Sequence, residues 1–217
     1  MAKLVLASSN PGKISELRAL LETLNIMVVS LEDYPNLPEV KEDGATFTEN
    51  AIKKARAVAV ATGLPALADD SGLEVDCLDG APGVFSARFA GKSGNDQANN
   101  EKLLRLLAGV PLEKRTARFR CVVAIATPTG QVCTVEGVCE GIITTEPRGE
   151  MGFGYDPLFF VPGLGKTFAE LAPAVKNRIS HRARALAQIR QIIASKFLFK
   201  INKEVNKEVS PVHFQNR

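Results

Sequence analysis

Two adjacent carboxylates, Asp69 and Asp70, stand in the stretch ALADDSGL, with apolar residues before them and Ser71 and Gly72 after. Such a pair suits Mg2+, which takes one or two carboxylates and fills its remaining positions with water and phosphate oxygens. One acid would hold the metal while the other orients or deprotonates a water. The plainer alternative is a capped DDSG turn. Glu42, in an acidic loop upstream, offers a further oxygen ligand.

Three cationic positions point to a polyanion. In SSNPGK, Ser8, Ser9 and Asn10 are small hydrogen-bonding residues after an apolar run, Pro11 and Gly12 follow, and Lys13 opens a helical pattern. The stretch is not a P-loop: Ala7 occupies the upstream glycine position, and Ile14 replaces the Ser or Thr that would reach the metal. A lysine at a helix start opposes the helix dipole unless an anion sits between them. Lys54 shares a helical stripe with Phe47, Ala51 and Val58, so it faces inward, where a cation needs an anionic partner or a snorkelling path to water. Ser180-His181-Arg182 places two more potential cations in the first turn of a helix, with Ser180 as its N-cap. GFGYDP sets Phe153 and Tyr155 among glycines ahead of Asp156, so an aromatic face is available to stack on a nucleobase, or else to plug the core. Together these residues describe a site for a nucleoside polyphosphate with Mg2+.

The elements that must position them alternate in type. KLVLA and IMVVS read as short strands, Ile14 to Leu24 as a helix, and Thr46 to Glu49 as a capping box opening a helix to about Thr62. On that helix Glu49 and Lys53 form a plausible surface pair. PALA reads as a strand ending in the turn Asp69 to Gly72, with LEVD returning as another strand. A helix ending near Gly109 follows, then two long alternating strands joined by the turn Thr127 to Gly130. The strand LFFV, a capping box from Thr167 to Glu170 starting a helix, and a last helix from Ser180 complete the pattern. The order predicts an α/β protein with a mixed central sheet flanked by helices.

Composition narrows the class. The chain has 217 residues, 45% hydrophobic and 24% charged, a globular balance with room for one core and a cleft. A net charge of only +3 gives no duplex-binding surface, so no nucleic-acid partner is expected. No run approaches the roughly 20 apolar residues of a membrane span, and the N-terminus does not read as a signal peptide. Cys77, Cys121, Cys133 and Cys139 show no CxxC spacing; the last three lie in apolar strand-like runs as small hydrophobes, which predicts a reducing, cytoplasmic setting.

The quoted motifs, with TFTENAIKKA, ALADDSGLEVDCLDGAPGVFSARFAG and ISHRARAL, resemble the inosine triphosphate pyrophosphatase family in order and spacing over about residues 3 to 195. That resemblance implies an elongated two-lobed fold with a central cleft, a single domain over 1–197, and a homodimer; the polar tail over 198–217 lies past it, inherits nothing from it, and is expected to be flexible or an appended helix. It implies Mg2+-dependent hydrolysis of ITP, dITP or XTP to the monophosphate and pyrophosphate. Residues 8–13 would wrap the phosphates, with Lys54 adding charge and Ser71 touching substrate. Asp70 would act as general base and metal ligand, with Glu42 as a second ligand and Asp69 close by. Phe153, Gly154, Tyr155, Asp156, Lys176, His181 and Arg182 would hold the base. The competing readings are a Maf-like pyrophosphatase for pyrimidine or modified nucleotides, and a nucleotide-binding module without turnover.

Overall fold

Seven strands form one sheet in the order β2-β1-β3-β4-β5-β6-β7. They are β1 (Ala2–Leu6), β2 (Ile26–Ser30), β3 (Ala66–Val75), β4 (Thr116–Ala126), β5 (Val132–Ile143), β6 (Phe159–Val161) and β7 (Lys166–Thr167). The computed structural model describes residues 2–21, 26–35, 37, 40–91 and 94–193. β1 is parallel to β2 and β3, and every later pairing is antiparallel, so the sheet is mixed as expected. Parallel neighbours need crossover connections, here carrying α1 (Pro11–Leu21) and α2 (Phe47–Thr62). α3 (Asp96–Leu106), α4 (Pro173–Ile179) and α5 (His181–Ile192) complete the helices. The β4–β5 turn closes as predicted, with Gly130 N–H donating to the Thr127 carbonyl at 3.0 Å.

Period-two alternation sorts the strand residues between two cores. Leu4, Leu6, Leu67, Cys121, Val123 and Ile125 face α1 and α5, meeting Leu17, Leu21, Leu186 and Ile189. Val5, Ala7, Ala66, Ala68, Val122 and Ala124 face α2, meeting Phe47, Ala51, Ala55 and Val58. Small residues dominate this second face, which lets α2 lie close to the sheet. A third cluster, built from Leu73, Phe119, Phe159 and Phe168 with Leu103 and Leu107 of α3, covers the other end of β3. Each fully buried Leu or Phe in these clusters contributes about 1.5–3 kcal/mol.

The structure corrects several expectations. β3 does not stop at Asp69: Ala66 to Val75 pair residue for residue with Ala126 to Ala117, and the DDSG stretch lies in mid-strand. Gly72 is there for close packing, since an added Cβ would strike Ser86 Oγ and come within 2.5 Å of the Gly83 carbonyl oxygen. α1 starts three residues earlier than expected, because Pro11 suits a first helical turn and Asn10 caps it by accepting Lys13 N–H at 3.1 Å. Thr46 caps α2 by accepting Glu49 N–H at 3.1 Å, but the Glu49 carboxylate accepts from Ala45 N–H at 2.8 Å, and Lys53 pairs with Asp43 instead. The Thr167–Glu170 capping box is present but opens only a single 3-10 turn, Phe168–Glu170, before α4 begins at Pro173. Cys121 and Cys139 are buried, Cys133 is half-buried and Cys77 is exposed; all four are free thiols. Leu24 and the 198–217 tail lie outside the described residues. Among the described residues no helix is long and apolar enough to cross a membrane.

Candidate active site

A cleft of about 740 Å³ collects most of the predicted residues. Ser8, Ser9, Asn10 and Lys13 line it, as do Glu42, Lys54, Asp70, Ser71, Phe153, Gly154, Tyr155, Asp156, Lys176, His181 and Arg182. Pro11 and Gly12 do not; they build the helix start beneath it. At Gly12 the tight neighbour is a side chain: a Cβ there would lie 2.9 Å from the Phe153 ring. Asp69 does not line the cleft either.

Strand alternation explains that last result. Neighbours in a β-strand point to opposite faces, so the two acids read as one pair are separated by the sheet. Asp70 faces α2. Its Oδ2 accepts from Asn50 Nδ2 at 2.9 Å, and its Oδ1 accepts from Ser71 N–H at 3.0 Å. Burial pushes its pKa up, against the pull of Lys54 and Lys13. Asp69 faces α1 and α5. Its Oδ2 meets Lys13 Nζ at 3.0 Å and Arg182 Nε at 3.4 Å, and accepts from Ser71 Oγ at 3.3 Å. Burial alone would raise its pKa, but Lys13, Arg182 and Lys54 hold it well below the usual carboxylate range. Asp69 is the counter-ion of two cleft cations.

Lys54 does face inward. Its ammonium donates to the Asp69 carbonyl at 2.7 Å and meets Glu42 Oε1 at 3.0 Å. Asn50 and Lys54 lie one helical turn apart on α2, so Asp70, Asn50, Lys54 and Glu42 form one polar group against the small-residue face of the sheet. Lys54 pairs with one of the two acids, and Lys13 also draws on Asp70. Asp70 keeps unused lone pairs, and Glu42 is partly solvent-exposed. Among the described residues no group of three His, Cys, Asp or Glu side chains could hold a metal by itself. Two carboxylates, Asp70 and Glu42, are the oxygen donors that a hard ion takes when water and phosphate fill the rest of its shell.

The second group reads across three elements. Lys176, at the end of α4, donates to Asp156 Oδ2 at 2.6 Å and meets Glu16 Oε1 at 3.2 Å. Arg182 pairs with the other Glu16 oxygen as well as with Asp69. Phe153 lies over this floor, its ring centroid 4.8 Å from Lys176 Nζ and 5.8 Å from Arg182 Cζ. Its N–H donates to Asp156 Oδ2 at 3.0 Å. Of the two cations expected at the start of α5, only Arg182 is one. His181 is stacked on Phe119 at 4.7 Å, and burial, with Arg182 and Lys176 nearby, holds its pKa well below 6.5. A base whose folded pKa is depressed costs stability as pH falls below its unfolded pKa, because only the unfolded chain then takes the proton. Between about pH 7.5 and about pH 5.5, wild-type protein is expected to lose roughly 1 kcal/mol more unfolding free energy than His181→Phe. Urea titrations at the two pH values check this; equal losses would show that His181 is protonated in the fold.

Glu16 and Asn50 were missed from the sequence. Both left a signal, since Glu16 lies one turn beyond Lys13 on α1 and Asn50 is a polar residue on the apolar stripe of α2.

Comparison with known proteins agrees with this geometry. The Ham1 family model matches residues 4–192. The dITP/XTP pyrophosphatase of Desulforamulus reducens is 60% identical over 191 residues, 88% of this chain and 95% of that protein. The dITP/XTP pyrophosphatase of Geobacter sulfurreducens is 56% identical over 190 residues, 88% of this chain and 96% of that protein. A HAM1 protein structure from Coxiella burnetii superposes with a TM-score of 0.83 at 46% identity, covering 90% of this chain and all of that one. The motif resemblance, the mixed sheet and the cleft thus meet in one assignment: this chain belongs to the Ham1 family.

Proposed function

We propose that the chain hydrolyses non-standard purine nucleoside triphosphates (ITP, dITP and XTP) to the monophosphate and pyrophosphate, with Mg2+, and so removes them from the nucleotide pool. The observation that carries this reading is one cleft holding both a cation-and-carboxylate group and an aromatic loop on a cationic floor. The names of the two relatives support the same substrate class.

The residues divide the work. Lys13 and Lys54 offset charge on the phosphate chain and on the leaving pyrophosphate. Asp70, oriented by Asn50 and by Ser71 N–H, accepts a proton from the water that attacks the α-phosphorus. The bond from the α-phosphorus to the bridging oxygen breaks, and pyrophosphate leaves. Glu42 and Asp70 would hold Mg2+, which when bound supplies further charge neutralisation on the phosphates. At the base, Phe153 stacks while Lys176 and Arg182 present donors to a purine 6-oxo group. Adenine offers an amino donor there, which meets these donors head to head, and each buried donor left without an acceptor costs roughly 1–3 kcal/mol.

The test is a substrate panel of ITP, dITP, XTP, ATP, dTTP and UTP with Mg2+, reading pyrophosphate and orthophosphate separately. Pyrophosphate release from the 6-oxo purines at least about tenfold faster than from ATP is expected. Preference for dTTP or UTP would favour a Maf-like enzyme, binding without turnover a non-catalytic module, and orthophosphate release a different bond cleavage. A homodimer and a cytoplasmic setting belong to the same proposal, and light scattering on the purified protein checks the first.

A further inference from the structure

One helix outside the recognised motifs, α3, grips the cleft by backbone atoms. Leu103, with Leu107 just beyond the helix, is fully buried in the third core cluster, so the helix is a fixed post. Asn99 and Lys102 tie down the loop before it: Asn99 Oδ1 accepts Ala90 N–H at 2.7 Å, and Lys102 Nζ donates to the Phe89 carbonyl at 2.6 Å. Asp96 and Asn100, one turn apart, hold a single residue of the nucleobase loop. Asp96 Oδ2 accepts Gly154 N–H at 2.7 Å, and Asn100 Nδ2 donates to the Gly154 carbonyl at 3.0 Å. Asn100 Oδ1 is buried with no hydrogen-bond partner among the described residues, so the contact to Gly154 sets that side chain's position. Gly154 has φ +63°, a left-handed conformation that turns its peptide groups toward α3.

We propose that Asp96 and Asn100 are positioning residues for base discrimination, acting as a clamp on Gly154 that fixes the Phe153 ring and the Asp156 carboxylate over Lys176 and Arg182. The proposal rests on the nucleoside triphosphate reading above and adds how the base end is kept in register. Residues 153–156 form a closed turn: Asp156 N–H donates to the Phe153 carbonyl at 3.3 Å, while Asp156 Oδ2 accepts from Phe153 N–H and Lys176. Lys176 holds this turn at Asp156, and α3 holds it at Gly154, with Asp96 itself at the cleft wall. Reading a 6-oxo group by hydrogen bonds demands placement within about 0.5 Å, so slack on the α3 side is felt at the base. The phosphate end takes its partners elsewhere. Asp70 is held by α2 and its own strand, and Lys54 by Glu42 and the Asp69 carbonyl.

Steady-state kinetics on ITP and ATP test the clamp. Asp96→Ala and Asn100→Ala are each expected to raise KM for ITP and to lower the ITP-over-ATP ratio of kcat/KM by about tenfold, with kcat for ITP within a few-fold of wild type. Asp96→Asn keeps an acceptor for Gly154 N–H and is expected to restore most of the discrimination. Thermal midpoints of all variants separate this effect from unfolding. An unchanged ratio in both alanine variants overturns the clamp, as does an Asp96→Asn variant no better than Asp96→Ala. A wild type that does not distinguish ITP from ATP overturns the functional reading itself, and the clamp with it.

Discussion

Asp70→Asn is expected to lower turnover of ITP by about 10²–10⁴-fold, the usual worth of a general base, while ITP still binds. The substitution keeps the shape of the side chain and leaves Asn50, Ser71 and Lys54 in place. It removes the cleft carboxylate that faces α2 and is oriented by Asn50. Single-turnover pyrophosphate release gives the rate, and isothermal titration with ITP gives the affinity. Turnover within a few-fold of wild type would move the base to another residue. A parallel loss of ITP binding would instead make Asp70 a binding group.

Asp69→Ala tests stability. It leaves the Lys13 ammonium and the Arg182 guanidinium inside the protein without the carboxylate they share at 3.0 and 3.4 Å. Removing one partner of a buried ion pair costs about 3–5 kcal/mol. Glu16 still faces Arg182, which places the expected loss near 3 kcal/mol. Chemical denaturation at neutral pH measures it, and a loss below about 1 kcal/mol would show that water reaches the pair. The pH dependence follows from the direction of the shift. The folded pKa of Asp69 lies below its unfolded value of 3.8, so its contribution is present above that pH and is lost as pH falls through the folded pKa. The gap between wild type and Asp69→Ala should therefore persist down to about pH 4 and close only in stronger acid.

Most of the site's membership was legible in the chain. Lys13, Lys54, Phe153 and Arg182 announced themselves as charges or aromatics placed where local structure alone gives them no partner, and all four line the cleft. What the sequence could not show was which groups meet. Asp69 and Asp70 read as one chelating pair because adjacency in sequence looks like adjacency in space; the unbroken pairing of β3 with β4 sends them to opposite faces. A Ser-Gly following two aspartates has the composition of a turn, and only the crowding around Gly72 by Ser86 and Gly83 shows why glycine stands in a strand there. Asn100 stayed hidden for another reason. On an amphipathic helix its type is ordinary, and its partner, Gly154, lies far along the chain.

The full-length register of β3 against β4 has one more consequence. Because side chains in a strand alternate with a period of two, a slip of one residue exchanges the two faces. Here such a slip would carry the proposed base to the side of Lys13 and Arg182, and would bring their counter-ion into the cleft. No change of residue type would be needed to abolish the chemistry. A single inserted or deleted residue between Ala66 and Asp69 that shifts the strand would do it, even with every side chain of the site still present. The ladder of ten paired residues is thus more than scaffold: it decides which of two identical side chains is a reagent and which is a counterweight.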